Sequence, residues 1–454
     1  MSKAVVAVVG RPNVGKSTLF NRVVGRREAV VENIPGVTRD RLYGIAEWNG
    51  REFTIVDTGG LVLDESDPMA ARIRAQAELA IEEADVIVMV VDGTDGLTPL
   101  DEDVAKSLRP ANKPVLVAVN KTEGKKGKAG VPDFYALGIG ELFPISATQG
   151  DGVADLLDEV VARLPPPEQA EEFPEDVLRV ALIGRPNVGK SSMLNAILGE
   201  ERVIVSNVPG TTRDAVDTYF ERGGQKYVLV DTAGIRRPGK VQGSIEYYCV
   251  LRASRAIESC DVAIVVINGE EGLVDGDKRV AGMAHEEGRA CVIAVNKWDL
   301  MRKGHAKWTE QLGRRIRREF TEHVRAEMPF LDYAPIVFVS ALMGENIDDL
   351  LDTVNDVAES HARRVPTGEL NRVIQDAVDA NPRTEKGRTL RIYYATMSEV
   401  SPPTIILFVN DPELMHFSYE RYLINRLRQV FGYEGTPIRL ITRRRTKEMA
   451  RQTG

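Results

Sequence analysis

The sequence predicts an α/β protein in which two similar domains are followed by a small α+β domain. Two observations carry this prediction: short β-branched runs alternate with amphipathic stretches, and one set of motifs occurs twice in the same order. The runs expected to form strands are Val5–Val9, Phe53–Val56, Val86–Val91, Val115–Val119, Val180–Ile183, Tyr227–Val230, Val262–Ile267 and Cys291–Val295. Near-continuous apolar strands separated by helices are typical of a mostly parallel sheet with helices on both faces.

Five segments of the first half recur in the second half, which indicates an internal duplication. GRPNVGKS occupies Gly10–Ser17 and again Gly184–Ser191, 174 positions later. The other pairs are VENIPGVTRD at Val31–Asp40 with VSNVPGTTRD at Val205–Asp214, DTGG at Asp57 with DTAG at Asp231, NKTE at Asn120 with NKWD at Asn296, and ISATQGDGVADLL at Ile145–Leu157 with VSALMGENIDDLL at Val339–Leu351.

A proline-rich acidic segment, RLPPPEQAEEFPED from Arg163 to Asp176, separates the two copies and predicts an extended linker. In the last part, LRIYYATMSEVSPPTIILFVN predicts two strands around a turn, Met415–Val430 a helix and Thr436–Ile441 a final strand. The expected organisation is a first domain at 1–163, a linker at 164–177, a second domain at 178–365, a small domain at 366–441 and a basic tail at 442–454.

Composition excludes several protein classes. With 43% hydrophobic and 28% charged residues, the 454-residue chain has the balance of a globular protein rather than a disordered one. Its longest apolar runs, such as Val86–Val91, are six residues, far short of the ~20 that span a membrane. The amino-terminal apolar stretch is too short for a signal peptide, and three cysteines give no disulfide framework, so we expect the reducing cytoplasm.

The charge is uneven along the chain. Net charge is −8, but residues 366–454 hold 14 basic and 10 acidic residues, a net of +4, which leaves −12 for residues 1–365. The chain as a whole is therefore not one that coats nucleic acid, and we expect no DNA partner. The basic C-terminal part could bind an anionic partner, although ordinary scatter explains the charge split equally well.

GRPNVGKS matches the phosphate-binding pattern G-x-x-x-x-G-K-[ST], between an expected strand and an expected helix. The glycines let backbone N–H groups point at phosphate, and the lysines Lys16 and Lys190 reach the outer phosphates. The hydroxyls of Ser17 and Ser191 can ligate Mg²⁺. A Gly-rich turn without function would not explain two copies in the same context.

Two further positions suit Mg²⁺ and the γ-phosphate. Asp57 and Asp231 end apolar strands, where a carboxylate faces the phosphate site and can hold Mg²⁺ through water. Thr38 and Thr212 lie 28 residues after the first glycine of each motif, and this identical placement favours a switch-loop contact with Mg²⁺ and the γ-phosphate over a simple turn.

NKWD predicts guanine recognition at the second site. The carboxylate of Asp299 can accept hydrogen bonds from guanine N1–H and N2–H₂, which adenine does not offer, so the pattern selects GTP. The stem of Lys297 can lie against the base, and Ser340–Ala341 and Ser146–Ala147 can close over the guanine O6. Alone, such a motif could be a strand-ending turn.

The residues expected to contact nucleotide are Gly10, Arg11, Pro12, Asn13, Val14, Gly15, Lys16, Ser17, Asp57, Thr58, Gly59, Gly60, Leu61, Asn120, Lys121, Thr122 and Glu123 in the first copy, and Gly184, Arg185, Pro186, Asn187, Val188, Gly189, Lys190, Ser191, Asp231, Thr232, Ala233, Gly234, Ile235, Asn296, Lys297, Trp298 and Asp299 in the second. The expected metal ligands are Ser17, Thr38, Asp57, Ser191, Thr212 and Asp231.

The ordered motifs resemble those of translation-factor-like P-loop GTPases, and their tandem arrangement resembles the bacterial Der (EngA) family over nearly the whole chain. The resemblance implies two GTP-hydrolysing G domains and a KH-like domain that lacks the usual nucleotide-clamping loop. It also implies a role in assembling the large ribosomal subunit. We expect a monomer with the large subunit or its precursor as partner.

The sequence departs from the family pattern in two places. Glu123 stands where the pattern has Asp, one methylene further out, which puts guanine selectivity at the first site in doubt. The second copy has 18 more residues between its last two motifs, and these accompany a basic run. Such a run is more often a solvated helix face than an RNA contact. Its members are Arg302, Lys303, Lys307, Arg314, Arg315, Arg317 and Arg318.

Hydrolysis needs a group other than the usual glutamine, because Leu61 and Ile235 stand in its place. In related GTPases with an apolar residue there, an Asn of the phosphate loop helps hold K⁺ beside the phosphates. The resemblance carries this role to Asn13 and Asn187, which could otherwise be simple turn residues. The residues expected to act in hydrolysis are Asn13, Lys16, Thr38, Asn187, Lys190 and Thr212.

Two other functions remain open from sequence. One is a P-loop protein whose first G domain is mainly structural or regulatory, and the other is a metabolic phosphotransferase. The second lacks an evident acceptor lid and conflicts with the guanine motif.

Overall fold

The computed structural model describes residues 4–25, 43–58, 84–166, 177–199, 217–232, 245–303, 308–385 and 388–444. The chain divides into two compact units. One carries the first sheet, and the other carries the second sheet together with the C-terminal domain. Several expected site residues lie outside the described residues: Thr38, Gly59, Gly60, Leu61, Thr212, Ala233, Gly234 and Ile235.

The first sheet has six strands in the order β2-β3-β1-β4-β5-β6. All neighbours are parallel except β2 and β3. Its strands are β1 Val5–Val9, β2 Tyr43–Trp48, β3 Arg51–Asp57, β4 Val86–Asp92, β5 Val115–Asn120 and β6 Glu141–Pro144; its helices are α1 Lys16–Val24, α2 Pro99–Leu108, α3 Lys125–Gly130 and α4 Val153–Arg163. Successive residues of β1 enter separate apolar clusters, Val5 in one and Val6 in the other, because side chains alternate between the two covered faces.

The second sheet repeats this arrangement in the order β12-β11-β10-β7-β9-β8, again with one antiparallel pair, β8 and β9. Its strands are β7 Val177–Ile183, β8 Thr218–Arg222, β9 Gln225–Val230, β10 Val262–Asn268, β11 Ala290–Asn296 and β12 Ile336–Phe338. The helices of this part of the chain are α5 Lys190–Leu198, α6 Ile245–Ser259, α7 Asp275–Glu286, α8 Trp298–Lys303, α9 Glu310–Glu327 and α10 Ile347–His361. In both sheets the phosphate loop follows the central strand at its carboxyl end, where ligands of open α/β sheets bind.

The C-terminal domain packs two helices on one face of a three-stranded sheet. Its elements are α11 Thr367–Ala380, the hairpin β13 Thr384–Glu385 with β14 Arg388–Thr389, β15 Ile392–Val400, β16 Pro403–Val409, α12 Phe417–Phe431 and β17 Arg439–Arg444. β15 pairs antiparallel with β16, which pairs parallel with β17. The core lies between α11, α12 and the inner residues of the sheet, such as Ala395 and Leu407.

The C-terminal domain is joined to the second sheet by backbone hydrogen bonds. The amide of Cys291, at the start of β11, donates to Gly435 O at 2.7 Å, and Gly435 N donates to Tyr333 O at 2.8 Å. Arg428 stacks its guanidinium 4.7 Å from the centre of the Tyr333 ring. These contacts lie at the amino end of β11, whereas the nucleotide motif begins at Asn296, at its carboxyl end. The C-terminal domain is therefore attached near the amino-terminal end of β11, away from the predicted nucleotide site at its carboxyl end.

All eight expected strands are confirmed, and so are the two G-domain sheets and the small α+β domain. The expected helix Met415–Val430 is observed as Phe417–Phe431, and the last strand begins at Arg439, after Pro437, rather than at Thr436. Helix α11 was not predicted, although Leu370, Val373, Ile374 and Ala377 have the helical spacing that would have indicated it.

The basic run of the second copy lies partly on α9, where three arginines face acidic residues one helical turn away. The N–O distances are 3.3 Å for Arg314 with Glu310, 3.5 Å for Arg315 with Glu319 and 3.7 Å for Arg318 with Glu322. These i,i+4 pairs on exposed side chains are typical of a solvated helix face. Within the described ranges, no helix combines the length and the apolar character needed to cross a membrane.

Candidate functional site: two phosphate loops and their base pockets

The phosphate loops of both copies adopt a backbone that only their glycines fit. Gly10 has φ +145° and Gly15 has φ +98°, and a Cβ at Gly15 would lie 2.2 Å from the side-chain amide nitrogen of Asn120. Gly184 and Gly189 repeat these angles at +148° and +98°. Asn13 and Asn187 also have positive φ, 67° and 63°, a conformation that asparagine tolerates better than most residues. The predicted loop geometry is therefore present twice.

The loop lysines lie over their own loops. Lys16 Nζ donates to Gly10 O and Arg11 O, both at 2.8 Å, and Lys190 Nζ donates to Gly184 O and Arg185 O, both at 2.7 Å. Burial lowers the pKa of Lys16 to about 8, and the nearby Asp57 carboxylate opposes this shift. An ammonium group that has lost water is a strong partner for a phosphate, because its charge is poorly screened.

Two of the three expected Mg²⁺ ligands of the first site, Ser17 and Asp57, are in contact. Ser17 Oγ, in the first turn of α1, donates to Asp57 Oδ2 at 2.5 Å, across from the end of β3. Thr58 follows and is anchored by its hydroxyl, which donates to Val8 O at 2.8 Å. A hydroxyl and a buried carboxylate at one point suit the oxygen coordination of Mg²⁺. At the second site Asp231 has φ 53°, and its amide donates to Asp217 Oδ1 at 3.0 Å.

A single asparagine in each copy ties the base pocket to the phosphate loop. Asn120 Nδ2 donates to Val14 O at 2.8 Å, and its Oδ1 accepts from Ala147 N at 2.8 Å. Asn296 makes the same pair of contacts, with Val188 O at 2.9 Å and Ala341 N at 3.0 Å. These asparagines are 3% and 2% exposed, so they act as internal links that fix three loops together.

In the first copy the lysine of the base motif also reaches the phosphate loop. Lys121 Nζ donates to Asn13 O at 3.0 Å and pairs with Asp92 at 2.5 Å. Both Lys121 and Lys297 have positive φ, 66° and 62°, which turns the chain sharply after the strand.

The base-reading carboxylates differ between the copies. Asp299 is 7% exposed, and its Oδ1 accepts from Ser340 Oγ at 2.7 Å. Burial opposes its ionisation, but the hydrogen bond from Ser340 and the nearby Lys303 hold the pKa of Asp299 below its ordinary value. In both copies the serine Oγ accepts from the amide three residues later, Gln149 N at 3.1 Å and Met343 N at 3.3 Å, but in the first copy Glu123 is exposed and not hydrogen-bonded to Ser146. Only the second carboxylate is thus held in place by the serine of the following motif.

The residue between the lysine and the carboxylate also differs. Thr122 donates its hydroxyl to Ile145 O at 2.8 Å. Trp298 is 1% exposed and packs against Phe338 and Phe320, with ring centres 4.5 and 6.2 Å away. Neither side chain is exposed for contact with a base. Both instead pack inside the domain and stabilise the loop that carries the base-reading carboxylate.

Sequence reasoning missed the carboxylates that hold the loop arginines. Arg11 pairs with Asp95 at 2.8 Å and lies 3.5 Å from Asp101, and Arg185 pairs with Glu271 and lies 3.2 Å from Asp277. Asp101 belongs to a capping box with Thr98 at the start of α2, a pattern visible in the sequence. Both arginine side chains are already paired with carboxylates. We therefore expect Arg11 and Arg185 to bind phosphate through their backbone N–H groups.

Comparison with known proteins agrees with this geometry. A family model described as 50S ribosome-binding GTPase matches residues 5–121 and 179–297, and one described as the C-terminal KH-domain-like part of EngA bacterial GTPases matches residues 364–443. The GTPase Der of Bacillus cytotoxicus is 56% identical over 446 residues, which are 98% of this chain and 100% of the relative. The chain belongs to the GTPase Der family.

Further comparisons also match this chain. The GTPase Der of Geobacillus thermodenitrificans is also 56% identical, over the same share of both chains. A solved FeoB G domain from Methanococcus jannaschii is 27% identical and covers 36% of this chain and 98% of its own, with a TM-score of 0.28. As a Der-family member the chain is a GTPase, which excludes the metabolic phosphotransferase that the sequence alone left open.

Proposed function

We propose that this GTPase is a cytoplasmic switch, acting as a monomer, that binds precursors of the large ribosomal subunit in one nucleotide state and leaves them in another. The observation that supports this most is the second unit, which combines the second phosphate loop and the Asp299 base motif with the C-terminal domain and its basic end. The family model that matches both G domains is described as ribosome-binding, which suits the same partner.

The second site has the features needed to select and hold GTP. Asp299 is positioned by Ser340 to accept the two guanine donors, and its carboxylate retains lone pairs for both. Lys190, which donates to two loop carbonyls, and the amides of the glycine loop would bind the phosphates. Bound Mg²⁺ would neutralise phosphate charge, held by Ser17 and Asp57 in the first site and by Ser191 and Asp231 in the second, with Thr38 and Thr212 as the proposed switch-loop ligands.

Asp299→Asn is expected to relax base selection at the second site. An amide offers one acceptor and one donor to two guanine donors, so discrimination of GTP from xanthosine triphosphate should fall at least tenfold. The measurement is competitive titration of the full chain carrying Lys16→Ala, which weakens the first site. If Asp299→Asn discriminates as the parent does, Asp299 does not read the base. The matched change Glu123→Asp at the first site should tighten guanine binding or leave it equal.

K⁺ is expected to accelerate hydrolysis through the loop asparagines. Asn13 and Asn187 are exposed at the rim of their loops, where a side-chain oxygen can coordinate a cation beside the phosphates. Replacing Na⁺ by K⁺ at constant ionic strength should raise the rate. Asn187→Ala should reduce that increment by more than it reduces GTP affinity, in a chain whose first site carries Lys16→Ala. Equal rates in the two salts would exclude cation assistance.

The proposed function is tested by co-sedimentation of the full chain with ribosomal subunits under GTP, GDP and no nucleotide. Association with the large subunit or its precursor that depends on GTP supports it.

A further inference from the structure

The sheet of the C-terminal domain has one covered face and one open face. Ala395, Met397, Leu407 and Val409 point into the core beneath α11 and α12. The residues that alternate with them point away from both helices, and we call this side the outer face. It carries Tyr394 and Thr396 on β15, Ile406 and Phe408 on β16, and Ile441 and Arg443 on β17.

Strand pairing sets these side chains in two rows across the sheet. Tyr394 pairs with Phe408, which pairs with Arg443; in the next row Thr396 pairs with Ile406, which pairs with Ile441. The ring centres of Tyr394 and Phe408 are 6.1 Å apart. Tyr394 is 43% and Ile441 42% exposed, so both rows keep substantial apolar area open.

A register shift in β15 leaves a second tyrosine exposed next to Tyr394. Between Ile392 and Tyr394 the pairing slips, and Tyr393 and Tyr394 are both exposed although they are consecutive. In a regular strand one of the two would point into the core. The bulge therefore presents two tyrosines at the same edge of the sheet.

The end of the outer face at Arg443 lies among positively charged residues. Arg444 and Arg388 both contact Asp411, at 3.1 and 3.5 Å. Arg443 has no carboxylate partner among the described residues, and it ends the row of aromatic rings. In sequence, Arg445, Lys447 and Arg451 follow directly. At the other end of β17, Arg439 donates to Glu286 O at 2.8 Å, so that end is attached to the second G domain.

We propose that the outer face binds single-stranded RNA by stacking unpaired bases on Tyr394 and Phe408, with Arg443 on the phosphates. Aromatic rings on a sheet accept the faces of bases, and adjacent cations track the backbone; this combination tolerates many sequences. Positive charge beside exposed aromatic rings suits a polyanion with flat bases better than a second copy of this chain, whose outer face has the same charge. This inference rests on the proposed function, because that function identifies the large ribosomal subunit as the source of the RNA.

The test is titration of the full chain with a fluorescent, unstructured RNA of about 12 nucleotides, a length in the range that such surfaces cover. Tyr394→Ala should weaken binding by about 5- to 100-fold, because one stacked base is lost. Tyr394→Phe keeps the ring and should bind within about twofold of the parent. Tyr135→Ala removes another exposed tyrosine, 72% exposed in the first G domain, and should change nothing.

Three results would overturn the inference. The first is an equal loss of RNA affinity in Tyr394→Ala and Tyr135→Ala. The second is equal binding of a duplex of the same length, since paired bases cannot stack on the sheet. The third is a Tyr394→Ala chain that keeps its RNA affinity but loses self-association in sedimentation, which would assign the face to a second copy.

The inference and the proposed function fail in different experiments. If particle binding depends on GTP but Tyr394→Ala leaves RNA affinity unchanged, only the outer-face assignment is wrong. If Tyr394→Ala weakens RNA binding but the chain binds no ribosomal particle in any nucleotide state, the proposed function is wrong and the assignment of the outer face to RNA still stands.

Discussion

GTP binding at the second site should fall by about 10- to 150-fold when Lys190 is replaced by alanine. The change removes a charged contact to the phosphates, worth about 1.5–3 kcal/mol. Lys190 now donates to two loop carbonyls at 2.7 Å, and a phosphate oxygen would take the place of such acceptors. The measurement is calorimetric titration of the full chain carrying Lys16→Ala, so that only the second site contributes.

Lys303→Ala is the matched control. It removes an exposed ammonium 3.5 Å from Asp299 that does not belong to the phosphate loop. It should change GTP affinity by about threefold or less, as exposed ion pairs do. Equal losses in Lys190→Ala and Lys303→Ala would contradict the phosphate-loop assignment at the second site.

The second large effect is expected from the basic end of the chain. Replacing Arg443, Arg445 and Lys447 by glutamine should lower the salt slope of particle binding by about two to three, because each phosphate contact releases ~0.7–0.9 counterion. If the parent and the variant bind the particle equally near 1 M salt, this difference in slope makes the binding of the variant roughly 100-fold weaker at 0.1 M. The measurement is co-sedimentation across a KCl series.

The control uses three arginines of the second G domain. Arg314, Arg315 and Arg318 on α9 already face Glu310, Glu319 and Glu322. Changing them to glutamine should leave the slope nearly unchanged. The reverse outcome would move the RNA contact from the C-terminal end to α9. Substitutions are preferable to a truncation at Val365, because Gly435 hydrogen-bonds directly to β11 and its removal would uncover the second sheet.

The sheets and phosphate loops could be predicted from sequence because their signals are local. The continuous apolar strands and the glycines at φ +98° each follow from a short run of residues. The duplication strengthened these inferences, because the phosphate loop and the motif at Asp57 both recur 174 positions later.

The features that escaped prediction depend on contacts between distant residues. Glu123 and Asp299 occupy matching motif positions, yet only Asp299 is buried beside a serine 41 residues later. The row of Tyr394 and Phe408 on the C-terminal sheet arises from strand register and a bulge, neither of which is encoded by composition. The attachment of Gly435 to Cys291 likewise depends on how the C-terminal domain packs.

The central claim is that GTP controls association with the large ribosomal subunit. A ligand shifts an equilibrium only if it binds one state more tightly, so GTP and GDP must differ in their effect on particle affinity. The direct measurement is co-sedimentation of the full chain with purified subunits at equal concentrations of GTP, GDP or no nucleotide. We predict large-subunit binding with GTP that falls at least tenfold with GDP and is lost in the Lys16→Ala, Lys190→Ala double variant. Equal binding in all three conditions, or binding by the double variant that matches the parent, would contradict the account.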